Sequence, residues 1–106
     1  MNESAPFACD ITAIPLADRD AHFDLASRLS TETAIEMRNE PDALTFVFPA
    51  SAFEDVVKFV ASERLCCPFL EFSLEIAADQ RPISLKLSGP PGAAAFLRLE
   101  LGIAEA

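Results

Sequence analysis

Phe72-Ser73-Leu74-Glu75-Ile76-Ala77 and Ile83-Ser84-Leu85-Lys86-Leu87-Ser88 alternate large apolar residues with small or polar ones. Period-two alternation over five or six residues marks a strand with one face in a core and the other in water. The two runs predict strands, and the segments around them are read from there. Upstream, Ile35 and Met37 alternate with Glu36 and Arg38 over 34–38, and Leu44, Phe46 and Phe48 alternate over 43–48. Asn39-Glu40-Pro41-Asp42 lies between them and has turn chemistry, so a β-hairpin is predicted.

Helical spacing fills the gaps between these strands. His22, Leu25, Ala26 and Leu29 recur on one face over 17–29, with Asp18 and Asp20 where a helix dipole favours acids. Ser51-Ala52-Phe53-Glu54 matches a capping box and opens a second helix. That helix is predicted to end near Cys67, because Pro68 disfavours helical backbone in the residue before it. Phe53, Val57 and Val60 define its expected buried stripe, and Cys67 falls on the same face. Gly89-Pro90-Pro91-Gly92 breaks the last strand, and 93–101 is predicted helical up to Gly102. Residues 7–14 read as a short first strand ended by Pro15.

The resulting order, β-α-β-β-α-β-β-α, contains a ferredoxin-like β-α-β-β-α-β unit plus a strand and a helix. An α+β two-layer sandwich is expected, with a mostly antiparallel sheet and helices on one face. Without the first strand, two β-β-α units remain, although no internal sequence repeat supports a duplication. The alternating and helical patterns place Ile35, Met37, Phe46, Phe48, Ile76 and Leu85 in the core, together with Phe96 and Leu99 of the last helix.

A chain of 106 residues has room for one core, so a single domain over 1–106 is expected. Seventeen acidic against eight basic residues give a net charge of −9, which repels a phosphate backbone and argues against a nucleic-acid partner. At 51% hydrophobic the sequence is too apolar for disorder. Met1-Asn2-Glu3-Ser4-Ala5-Pro6 lacks the basic region of a signal peptide, and Pro or a charge interrupts every apolar run, so a soluble, cytoplasmic protein without a membrane span is expected. The apolar content also exceeds what a small monomer buries easily, which leads to the expectation of an exposed patch and a homodimer.

Three cysteines, an odd number, argue against a disulfide framework in a reducing compartment. Cys66 and Cys67 end the second helix, and Glu63 lies one turn earlier, so the three share a patch. A disulfide between adjacent residues is strained, because their Cα atoms stand only about 3.8 Å apart. A helix C-terminus also disfavours a nucleophilic thiolate. Metal ligation suffers less, since a cation neutralises the thiolates itself and unwinding at Pro68 can turn both sulfurs to one ion. Cys9 is the candidate third sulfur if its segment runs beside the end of the second helix, with Glu63 or His22 as a fourth ligand. Buried packing, soft-metal or metalloid binding, and thiol redox chemistry are the three roles that these residues leave open.

Glu63-Arg64-Leu65-Cys66-Cys67-Pro68-Phe69-Leu70-Glu71-Phe72, with Phe7-Ala8-Cys9-Asp10 upstream and Leu87-Ser88-Gly89-Pro90 downstream, resembles a family of small bacterial proteins across nearly the whole chain. The Glu-Arg-x-Cys-Cys-Pro-Phe motif is its specific part. No reaction is assigned to that family. Some of its members are associated with heavy-metal resistance, which implies a soft-ion role for Cys9, Cys66 and Cys67.

Other features read as structural. His22 sits in an apolar stripe, where a hydrogen-bonded core histidine is the ordinary outcome. The prolines of Gly89-Pro90-Pro91-Gly92 remove donors that an anion loop needs. Asp18, Asp20 and Asp24 form a solvated face. The leading expectation is therefore a protein that binds Zn, Cu(I), Hg(II) or As(III) through Cys9, Cys66 and Cys67 with Glu63 nearby. An interaction or dimerisation module with structural cysteines is the runner-up, and a thiol redox protein is the third reading.

Overall fold

The structure is a computed structural model and describes residues 9–102. Its elements are α1 (Arg19–Arg28), β1 (Glu36–Glu40), β2 (Ala43–Phe48), α2 (Phe53–Cys66), β3 (Glu71–Glu75), β4 (Ile83–Ser88) and α3 (Ala93–Leu101). The four strands form one antiparallel sheet in the order β1-β2-β4-β3. The fold is therefore α+β.

The register explains the alternation. Met37, Phe46, Leu85 and Leu74 stand in one cross-strand row, and Asn39, Leu44, Leu87 and Phe72 in the next but one. Between them lie Arg38, Thr45, Lys86 and Ser73, which point to the other side because side chains alternate along a strand. Leu44, Phe46, Phe48, Ile83, Leu85 and Leu87 are buried in one cluster with Leu25, Leu29, Val56, Phe59 and Leu97 of the helical layer. That cluster is the core.

Several expectations are corrected. Residues 9–14 form no strand: Ile11–Ala13 is a 3₁₀ turn, capped by the Asp10 carboxylate accepting from the Thr12 amide. An Asp side chain that satisfies its own backbone favours a turn over a ladder. Phe7 and Ala8, the start of that predicted strand, lie outside the described residues. The described elements thus run α-β-β-α-β-β-α, and the ferredoxin-like order is not seen among them. The capping box is not made either, since α2 starts after a 3₁₀ turn, Ala50–Ala52, and its N-cap is Ala52 without a side-chain cap bond.

The buried face of α2 is also rotated. Val56, Phe59, Glu63 and Cys66 face inward, while Phe53 and Val57 are exposed. Two apolar stripes about 100° apart compete on this helix, and burial of Glu63 against α1 selects the second. Ile35, Met37 and Ile76 are exposed too. Ile35 precedes the edge strand β1 and Ile76 follows the edge strand β3, where neighbours cover one side only. On α3 the inward residues are Ala93, Ala94, Leu97 and Arg98, with Leu99 exposed and Phe96 half-buried. The Arg98 guanidinium is buried because it donates to Asn39 Oδ1 at 2.8 Å and to the Glu40 carbonyl at 3.0 Å, which ties α3 to the hairpin turn. No helix among the described residues is long and apolar enough to cross a membrane.

Candidate metal centre

The site forms where α2 ends. Cys67 leaves helical geometry with φ −123° and ψ 70°, as the following proline requires. Its amide still donates to the Glu63 carbonyl at 2.8 Å, and its carbonyl accepts from the Leu70 amide at 3.1 Å, so the turn is fixed on both sides. This swing brings adjacent side chains together: Cys66 Sγ and Cys67 Sγ lie 3.5 Å apart. In a continuous helix, neighbouring side chains diverge by about 100°.

The third sulfur arrives from the N-terminal segment. The Asp10 amide donates to the Cys66 carbonyl at 2.8 Å, occupying one of the backbone acceptors that a helix end leaves open. Cys9, the residue before, is thereby set against Cys67, with a Cα–Cα separation of 4.6 Å. The two sulfurs are at bonding distance as a disulfide, whereas Cys66 is a free, buried thiol. The expectation of no disulfide is thus corrected: the expected vicinal strain applies to Cys66 and Cys67, and the bond joins residues 58 positions apart instead.

Glu63 completes the group. Cys66 Sγ donates to its Oε1 at 3.8 Å, and Cys67 Sγ lies 3.5 Å from its Oε2. One ligand atom from each of Cys9, Glu63, Cys66 and Cys67 can be chosen so that all lie within 4.8 Å of one another, a group that could hold a metal ion. Tetrahedral coordination with bonds of about 2.3 Å sets neighbouring ligand atoms roughly 3.8 Å apart, which suits the separations around Glu63.

His22 serves Glu63 rather than standing among these atoms. Its Nε2 pairs with Glu63 Oε1 at 2.9 Å, and both side chains are buried. The ring stacks on Phe59 at 5.6 Å, so α1 and α2 hold the imidazole between them. The tautomer protonated at Nε2 gives the carboxylate its donor and leaves Nδ1 without a hydrogen-bond partner among the described residues. Metal-ligating carboxylates are themselves held by hydrogen bonds, and His22 supplies one to Glu63.

Electrostatics keep the free Cys66 thiol protonated. Burial first, then the charges of Glu63 and Glu100, push the Cys66 thiol up to about 12 from its ordinary 9.0. Burial followed by the Glu63 charge raises Glu100 to about 7, although the residue as a whole is exposed. Glu100, on α3, is the site neighbour that sequence reasoning missed, because nothing distinguishes it among 17 acids. The cluster carries excess negative potential, and a cation relieves it. No known family profile, curated protein or solved structure matches the chain.

Proposed function

We propose that this protein binds a soft metal or metalloid ion through Cys9, Cys66 and Cys67, with Glu63 as an oxygen ligand or close counter-charge. The observation that carries the reading is the convergence of three sulfurs and one buried carboxylate within 4.8 Å from two distant stretches of chain. Thiolates select Zn, Cu(I), Hg(II) or As(III) over hard cations. The disulfide and the ion draw on the same atoms, so the reduced protein binds and the oxidised protein does not. The family resemblance in the Glu-Arg-x-Cys-Cys-Pro-Phe segment supports the same reading.

Anaerobic titration of reduced protein with each of the four ions tests it. Wild type is expected to take up one ion, and Cys66→Ser and Cys67→Ser to bind at least about tenfold more weakly. Equal binding by all three proteins would leave the proposal without a site. The raised Cys66 thiol speaks against the alternative of thiol redox catalysis, which needs an accessible thiolate. The exposed Ile35 and Met37 beside an open sheet edge favour a further reading, a homodimer, in which a second copy covers β1. Sedimentation of wild type against Met37→Lys tests that reading, with a loss of dimer expected.

A further inference from the structure

The cysteine cluster opens on a cavity of about 440 Å³. A lone ion fills little of that space: a water molecule's share of the liquid is about 30 Å³, and cavities of roughly 300–1,000 Å³ are the size of small-organic-ligand sites. Two of the cysteines, Cys9 and Cys66, line it together with Glu63, while Cys67 is fully buried. Phe23, Ala26 and Leu101 give it apolar wall. Glu63 and Glu100 make it acidic, and no Lys or Arg is among the described residues lining it, so an anionic ligand is repelled.

We infer that the ligand is a trivalent metalloid that keeps one small apolar organic substituent, held by Cys9 and Cys66 with the substituent against Phe23, Ala26 and Leu101. The inference rests on the soft-ion reading above and narrows its ligand class, with the carbon substituent taking the position that Cys67 fills around a bare ion. The thiols of the two cavity-lining cysteines and one carbon substituent supply the three bonds of trivalent arsenic. The step balances without an oxidant or reductant: R–As(OH)₂ and two thiols give R–As(S-Cys)₂ and two waters. Two As–O bonds are replaced by two As–S bonds, both thiol protons leave in the water, and arsenic stays trivalent. The reaction needs the thiols free, so a low-molecular-weight dithiol first reduces the Cys9–Cys67 bond by exchange: its two thiols are oxidised to a disulfide, and their protons pass to Cys9 and Cys67.

The test titrates fully reduced, full-length protein anaerobically with phenylarsine oxide, the dehydrated aryl form, and separately with arsenite. Wild type is compared with Ala26→Phe and Ser27→Phe, each of which fills the cavity and keeps every sulfur. Ser27 is exposed, so the second variant does not depend on core packing. Wild type is expected to bind phenylarsine oxide at least about tenfold more tightly than arsenite. Either filled variant is expected to lose about tenfold in phenylarsine affinity and to hold arsenite within about twofold. Unchanged phenylarsine affinity in both variants, or no preference in wild type, overturns the inference. Absence of arsenical binding while Zn(II), Cu(I) or Hg(II) still binds overturns it alone, whereas absence of binding by all of them overturns the soft-ion reading itself.

Discussion

Cys66 shows how one thiol is held back. It lies in hydrocarbon surroundings, hydrogen-bonded to an acid, and its thiol is raised to about 12. At pH 8 the folded, metal-free protein should therefore react with iodoacetamide at least about a hundredfold more slowly than free cysteine. Glu63→Gln removes one charge from that balance and should speed the reaction. A native rate equal to that of free cysteine would contradict the burial argument. Glu100 makes the opposite kind of prediction, one about pH. Its folded value of about 7 stands above the ordinary 4.5, so between those values the folded chain holds more protons than the unfolded chain. Stability must fall as pH rises through that window. Glu100→Gln should abolish that slope and, after solvent screening at an exposed residue, gain about 1 kcal/mol over wild type at pH 8. Urea midpoints at pH 4.5 and pH 8 check this, and identical slopes in the two proteins would refute it.

Among the elements, the turn from β4 into α3 is built on close approach. A Cβ on Gly89 would meet Ala93 Cβ at 2.9 Å and the Phe69 carbonyl oxygen at 3.1 Å. Gly92 takes φ 94°, the left-handed region that side chains avoid. Because Phe69 follows Cys67-Pro68, Gly89 lets the α3 loop pack onto the turn that leads from the cysteine cluster into β3. Gly89→Ala should cost about 1–3 kcal/mol by forcing this contact apart. Chemical denaturation measures it, and a change under about 0.3 kcal/mol would show that the loops separate freely. The helix α2 carries the other lesson at this scale. Its existence and its end, expected near Cys67 and found at Cys66, were legible from Pro68 and from apolar spacing, but its inward face was not. Phe53-Val57-Val60 and Val56-Phe59-Glu63 are both plausible stripes, and only docking against α1 decides between them.

For the whole molecule, the Cys9–Cys67 bond closes a loop of 58 residues. Chain-entropy arguments assign such a closure about 4 kcal/mol, so reduction should lower the unfolding temperature markedly. A soft ion at the same atoms should restore much of the loss, because a ligand that binds only the folded state stabilises it by mass action. Thermal scans of oxidised, reduced and reduced-plus-Zn(II) protein should rank in the order oxidised, zinc-bound, reduced. Equal melting of the two reduced samples would speak against the proposed site, and thiol titration should count one free sulfur before reduction and three after.

Alternation in 43–48, 72–75 and 83–88 determined the strands by itself, since a period of two leaves a chain no other way to bury its large residues together. The spacing of Glu63, Cys66 and Cys67 likewise determined that they share a patch, because one helical turn returns to the same side. The nearness of Cys9 was decided only in three dimensions, by a backbone bond from Asp10 to the end of α2 that no local pattern encodes. The same holds for the pairing of His22 with Glu63 across 41 residues and for the arrival of Glu100. Contacts between remote segments depend on how whole elements dock, and docking is set by the summed packing of the core rather than by any short run of residues.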